Sequence, residues 1–387
     1  MTSLHSKLPG VGTTIFTVMS QLAQECGAIN LSQGYPDFDP PPGLLDRVEF
    51  HLRRGGNQYA PMAGTPALCR AIAGKTQALY GREVDPAEEI TVTSGATEAL
   101  FAAVQAFVGP GQQAIIFDPA YDSYEPSIRL AGGEAVRIPL LAPDFAVDWD
   151  RVAHAINDRT ALIILNSPHN PTGAVLSAED LDTLALLLRD TPIKILSDEV
   201  YEHIVFDGRT HQSMLRHDEL SLRSLVVSSF GKTFHATGWK VGYMVAPPAL
   251  TAEFRKVHQF CQFCVVSPIQ NALADFLQSD PGHYLGLPDF YQQKRDLFRR
   301  LMSRTPLQLL PARGTYFQCV DYRGVSDEED TGFARRLTRE LGVAAIPVSV
   351  FYQHPPDQRI LRFCFAKDDA TLERAAAKLA GLEPVSA

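Results

Sequence analysis

Lys232 stands in the stretch Ser228-Ser229-Phe230-Gly231-Lys232-Thr233-Phe234, which runs on through Lys240 to Tyr243. Upstream lie Ser197-Asp198-Glu199-Val200-Tyr201 and, earlier still, Asn166-Ser167-Pro168-His169-Asn170-Pro171-Thr172-Gly173. A lysine whose pKa is lowered by its surroundings is a neutral amine that can condense with a carbonyl. A carboxylate such as Asp198 can keep a heteroaromatic nitrogen protonated, which makes the ring an electron sink. Tyr201 and Asn170 can hydrogen-bond an oxygen on the same ring. An amine, a carboxylate and oxygen-binding donors in this order are what pyridoxal phosphate chemistry needs.

The remaining candidates extend the set. Gly95, Ala96 and Thr97 open a helix directly after a strand, where free N–H groups and the helix dipole favour an anion. Ser229 offers a hydroxyl shortly before Lys232, and Lys240 a cation shortly after it. Tyr121 follows Asp118-Pro119-Ala120 and can lie flat on an aromatic ring. Arg362 interrupts an apolar run, Leu361-Arg362-Phe363. A buried guanidinium needs a partner, and its planar fork suits a carboxylate. Each residue also has an ordinary reading. Lys232 could be a surface lysine, Asp198 a helix cap, residues 94–97 a plain strand-to-helix turn, Tyr121 a core or surface tyrosine, and Arg362 half of a structural ion pair. Their joint occurrence carries the argument.

The elements that must hold these residues follow from pattern. Short β-branched or apolar runs at 89–93, 114–117, 161–165, 193–196 and 225–227 read as strands covered on both faces, as in a parallel sheet. They alternate with helical stretches at 65–80 and 95–108, which predicts an α/β fold with a mostly parallel sheet flanked by helices. The polar candidates fall just beyond the carboxyl ends of these strands, where open α/β sheets bind ligands. After about 280 the pattern changes. A charged helix is expected over 289–304, strands over 315–320 and 360–365, and helices over 330–341 and 370–381, together a smaller α+β domain. The first 45 residues, with Pro40-Pro41-Pro42-Gly43 as a break, read as an extended arm. The expected division is an N-terminal arm (1–45) belonging to the small domain, a large cofactor-binding domain (46–282) and a small C-terminal domain (283–387).

Composition narrows the field. The 387 residues are 45% hydrophobic and 20% charged, with a net charge of −9. An acidic chain argues against nonspecific nucleic-acid or anionic-membrane binding. The first ten residues contain no apolar signal-like run, and no run approaches the length of a membrane span. Six scattered cysteines fit a reducing, cytoplasmic setting. Cys261-x-x-Cys264 lacks the second pair that a zinc or redox site wants, and no metal is expected. No GxxxxGK[ST], HExxH or GxSxG motif is present, and Gly109-Pro110-Gly111 precedes a strand rather than following one.

At these residues the chain resembles the fold type I, class I pyridoxal phosphate aminotransferases over nearly its whole length. Leu31 to Phe38, Tyr59 to Gly64, Asn166 to Gly173, Ser197 to Tyr201, Ser228 to Gly242 and Arg362 to Phe365 carry the likeness. Val257-His258-Gln259, Leu287 to Tyr291 and Ile346 to Phe351 are similar to the methionine aminotransferase branch, near the kynurenine and glutamine aminotransferases.

The resemblance implies Lys232 as the lysine that joins the cofactor and shuttles the proton, Asp198 at the ring nitrogen, Tyr201 and Asn170 at the ring oxygen, and Tyr121 on the ring face. It implies Gly95, Ala96, Thr97, Ser229 and Lys240 at the phosphate, with Tyr59 reaching the phosphate of a neighbouring subunit in a homodimer. Gly34, Tyr35, Asn170 and Arg362 would meet the substrate's α-carboxyl end, and Phe263 and Phe351 its side chain. Lys240 departs from the Arg found in many relatives, and His169 is a branch-specific choice. No second basic residue that would select dicarboxylic substrates can be picked out. The activity implied is transfer of an amino group from methionine or an aromatic or bulky neutral amino acid to a 2-oxo acid. The alternative is a cysteine S-conjugate β-lyase. A non-enzymatic cofactor-binding regulator would want an appended DNA-binding domain and a basic patch.

Overall fold

In the computed structural model, which describes residues 6–384, the N-terminal segment is more ordered than an extended arm. It carries helix α1 (Ile15–Glu25) and the short strand β1 (Ile29–Asn30). The Thr14 hydroxyl accepts from the Thr17 amide and caps α1, whose Met19 and Ala23 are buried. Ile15, Met19, Leu22 and Ala23 make one apolar stripe, a helical period that the Pro- and Gly-rich surroundings mask. Pro42 does not break the chain. It sits in the first turn of α2 (Pro42–Arg53), where its missing N–H costs nothing. The first five residues, half of the stretch read for a signal, lie outside the described residues.

Helices α3 (Pro66–Tyr80) and α4 (Gly95–Phe107) flank a seven-stranded sheet. Its strands are β2 (Ile90–Thr93), β3 (Gln113–Asp118), β4 (Glu134–Pro139), β5 (Thr160–Asn166), β6 (Lys194–Asp198), β7 (Ser224–Ser229) and β8 (Gly242–Val245). The order is β2-β8-β7-β6-β5-β3-β4. β8 runs antiparallel to both neighbours, and the other pairs are parallel. Side chains alternate between two cores. Ile115, Ile163 and Ile195 face one helical layer, and Ile116, Ile164 and Leu196 the other. This two-sided burial is why these strands read as continuous apolar runs. β4 lacks such a run because it is a half-exposed edge strand.

The second unit holds β9 (Gln308–Leu309), β10 (Phe317–Asp321), β11 (Val343–Ala344), β12 (Ile346–Pro347) and β13 (Ile360–Cys364). Four of these form an antiparallel sheet in the order β12-β13-β10-β9, while β11 pairs in parallel with β1. The N-terminal segment is thus stitched to the C-terminal unit. The charged helix begins at Pro281 rather than Asp289, because it runs straight through Pro288, and ends at Met302. The helix expected over 330–341 is α-helical over Asp330–Arg336 and becomes a π-turn over Leu337–Leu341. No helix among the described residues is long and apolar enough to cross a membrane.

Candidate active site

Five strands deliver polar residues to one edge of the large sheet. Asp118, Asn166, Asp198 and Ser229 are the last residues of β3, β5, β6 and β7, and β2 leads through Ser94 into α4. Of these, Asn166, Asp198 and Ser229 line a cleft of about 220 Å³, together with Gly95 at the start of α4. Lys232 lies in the short helical turn Phe230–Thr233 that follows β7. Its Nζ is 3.4 Å from the Gly34 carbonyl, and it faces the rings of Tyr201 and Tyr316 at 5.7 and 5.9 Å. Burial, reinforced by the Lys240 charge, lowers its amine from 10.5 to about 8. Roughly a tenth of the amine is therefore neutral at pH 7, against a negligible fraction for an ordinary lysine, as a nucleophile or base requires.

Asp198 is buried, and desolvation raises its carboxyl to about 6, against the hydrogen bond from Tyr124 and the Lys232 charge, which pull it down. The Tyr124 hydroxyl donates to Oδ2 at 2.6 Å, and the Val200 amide approaches Oδ1 at 3.4 Å. Asn166 links the neighbouring loops. Its Nδ2 donates to the Asp198 carbonyl at 2.9 Å, and its Oδ1 accepts from the Asn170 amide at 2.8 Å. Tyr201 is buried against Tyr316 and Phe317. Desolvation raises its phenol well above the usual range, against Tyr316 and the Arg362 charge, which pull it down. The Tyr121 phenol is pushed up to about 12, chiefly by burial.

At one end of the cleft the backbone leaves room for an anion. Gly95 has φ +71°, and a Cβ built on it would lie 3.4 Å from Lys240 Nζ. A Cβ on Gly242 would meet the Ser228 carbonyl at 2.7 Å and the Ala96 amide nitrogen at 3.0 Å. Lys240 itself takes a left-handed φ of 53°, which turns its side chain toward the start of α4. Behind this helix start, Glu98 accepts from the Ser94 amide at 3.1 Å and bonds His258 Nδ1 at 2.9 Å. At the other end Arg362 is fully buried, with its guanidinium 3.9 Å above the Phe317 ring and 5.3 Å from the Phe16 ring. Nη1 donates to Asn170 Oδ1 at 2.8 Å and Nη2 to the Ser32 carbonyl at 2.7 Å. Nε has no partner among the described residues. Helix-start amides with Ser229 and Lys240, a buried carboxylate, and an arginine with an uncommitted donor fit pyridoxal phosphate together with an amino-acid carboxylate.

Twelve of the sequence-derived residues meet here: Gly34, Gly95, Ala96, Thr97, Tyr121, Asn170, Asp198, Tyr201, Ser229, Lys232, Lys240 and Arg362 line the same cleft. Four do not line it. Tyr59 is 83% exposed and packs edge-on against the half-exposed Phe263 at 5.4 Å, on the surface. The Tyr35 side chain turns outward over Lys367 at 4.7 Å. Phe351 is buried against Phe16 at 5.6 Å, and its carbonyl accepts from the Ala120 amide. The strand-end pattern also passed over Phe16, Gln33, Asn166 and Phe317, which line the cleft, and over Tyr124 and Tyr316 behind it. Tyr124 could have been found from its spacing of three after Tyr121 at a helix start.

Residues 27–379 match the family model for aminotransferase class I and II, and the chain belongs to that family. The methionine aminotransferase of Escherichia coli strain K12 is 53% identical over 375 residues, covering 97% of each chain. An E. coli crystal structure described as having a methionine aminotransferase function superposes with a TM-score of 0.97 at 52% identity. It covers 98% of this chain and 100% of that one. Kynurenine–oxoglutarate transaminase 1 of Mus musculus is 34% identical over 403 residues, covering 95% of each. The protein is a pyridoxal phosphate-dependent aminotransferase. These likenesses favour amino-group transfer over the β-lyase alternative.

Proposed function

We propose that this enzyme takes the amino group of methionine, or of another bulky neutral or aromatic amino acid, and passes it to a 2-oxo acid, acting as a cytoplasmic homodimer. The carrying observation is a part-buried amine, held near pKa 8, in one cleft with a buried carboxylate and Arg362. Bound pyridoxal phosphate supplies an electron sink that weakens the Cα–H bond of the attached amino acid. In this reading Asp198 supports the ring nitrogen, and Tyr201 and Asn170 hold the ring oxygen. The α4 amides, Ser229 and Lys240 take the phosphate. Tyr121 lies on the ring face. Arg362 and Asn170 orient the α-carboxylate, while Lys232 Nζ takes the proton from Cα and delivers it on the other side of the transferred nitrogen.

Charge supports a neutral side chain. Among the described residues that line the cleft the cations are Lys232, Lys240 and Arg362. All three are committed in this reading, so a second carboxylate would find no partner among them. The domain division 46–282, against 1–45 with 283–387, is part of the proposal, since each unit holds one main sheet. The dimer is supported by the exposed apolar surface of Tyr59, Phe260, Phe263 and Val266, a kind of patch that usually marks an interface. Tyr59 and Phe263 would then serve the partner's site. The cytoplasmic setting is supported by six free cysteines.

The test is a half-reaction screen. The purified protein should be yellow, and the colour should bleach fastest with methionine and aromatic amino acids and slowly with aspartate. Fastest bleaching by aspartate, or none with any amino acid, would refute the substrate reading.

A further inference from the structure

Tyr124 opens α5 (Tyr124–Leu130), three residues beyond Tyr121, and is 4% exposed. Its hydroxyl donates to Asp198 Oδ2 at 2.6 Å, the length of a charge-assisted bond. Its ring meets the Tyr121 ring edge-on, with centroids 5.7 Å apart and planes at 67°. Its backbone amide donates to the Tyr121 carbonyl at 3.2 Å. One side chain therefore touches both the carboxylate and the tyrosine on the ring face, although it does not itself line the cleft. Asp198 Oδ1, in contrast, has only the weak 3.4 Å contact from the Val200 amide.

Resting on the role given above to Asp198, we propose that Tyr124 is a positioning residue, which engages Oδ2 to fix the carboxylate's orientation and keep it anionic, leaving Oδ1 to meet the protonated ring nitrogen of pyridoxal phosphate. The charges and titratable groups around Asp198 are Lys232, Glu199, Tyr124, Tyr121 and Tyr201. Burial and Glu199 favour protonated Asp198, whereas Tyr124 and Lys232 favour the anion. Of the two, Lys232 is the group that must change its bonding during turnover. Tyr124 remains as the constant stabiliser.

The experiment compares Tyr124→Phe, Asp198→Asn and the double variant with the wild-type holoenzyme. For Tyr124→Phe, kcat with methionine should fall on the order of 10-fold, the worth of one hydrogen bond to a charge, with KM nearly unchanged. Cofactor-stripped Tyr124→Phe should bind pyridoxal phosphate about 10-fold more weakly by fluorescence titration. The visible band should titrate at higher pH, because a ring that shares its proton with Asp198 withdraws less charge. In the double variant the band should titrate as in Asp198→Asn alone, since Tyr124 acts through that carboxylate. A wild-type titration and affinity in Tyr124→Phe, or effects that simply add in the double variant, overturn the inference while leaving Asp198 its role. A wild-type cofactor affinity in Asp198→Asn overturns both. If Tyr124→Phe is insoluble, a soluble double variant supports the coupling and an insoluble one overturns it.

Discussion

Two residues of the cleft have pKa values moved toward neutrality. Lys232 titrates at about 8 in the folded protein against 10.5, so between those values the unfolded chain binds more protons than the folded one. Stability of the cofactor-stripped protein should therefore rise as pH increases from 8 to 10.5. Asp198 titrates at about 6 against 3.8, so the folded chain binds more protons in that window and stability falls as pH rises through it. Denaturant melts of stripped protein check both slopes. Lys232→Met should flatten the alkaline slope and stabilise stripped protein at pH 7 by roughly 2–4 kcal/mol, at 1.36 kcal/mol per pKa unit. The same variant should abolish turnover. Arg362 gives a different signature. Its plane is stacked on Phe317 and its two Nη atoms are committed to Asn170 and Ser32. Arg362→Lys keeps the charge but loses the fork. It should lower kcat/KM by about 100-fold while leaving cofactor affinity within about 3-fold.

Between residues and whole chain, the meeting of β7, β8 and α4 decides the anion end of the cleft. Gly242→Ala would press a methyl onto the Ser228 carbonyl and the Ala96 amide. Backbone on both sides leaves little room to yield, so the variant should lose about 1–3 kcal/mol of stability and part of its bound cofactor. Thermal melts and the ratio of visible to protein absorbance check this. The same region shows how far sequence reading reaches. The inner parallel strands β3, β5, β6 and β7 and the short strand β2 were legible because burial on both faces writes unbroken apolar runs, and the helix start was legible from Gly95; β4, half-exposed at the sheet edge, was not. β8 was not, because a four-residue antiparallel strand rich in ordinary residues, Gly242-Tyr243-Met244-Val245, carries no period of its own. α1 was hidden by the glycines and prolines around it. The strand-end rule found most of the polar groups that face the cleft but passed over Asn166, itself a strand-end residue in the cleft, and Tyr124 behind it, because their bracing contacts depend on how neighbouring loops fold back.

At the scale of the molecule, the proposed homodimer makes Tyr59 a residue of the partner's site. Tyr59→Ala should weaken cofactor binding about 10-fold, and Lys232→Ala should be inactive. When the two variants are unfolded together and refolded, mixed dimers pair an intact Lys232 with an intact Tyr59, so activity should exceed the sum of the parents. Additive activity, or a monomer by sedimentation at assay concentration, would refute sharing. The side-chain specificity was the least legible property, since Phe263 on the surface and Phe351 behind Phe16 leave the pocket wall to Phe16 and whatever the partner contributes.

The bond from Arg362 to the Ser32 carbonyl spans 330 residues of chain. The N-terminal segment that supplies Ser32 and Gly34 also needs β11 for its strand pairing. A chain still leaving the ribosome can form the large sheet and its phosphate cradle well before the last strands emerge. Its grip on the amino acid comes only at the end of synthesis, so an unfinished chain could hold cofactor while being unable to spend it on substrate.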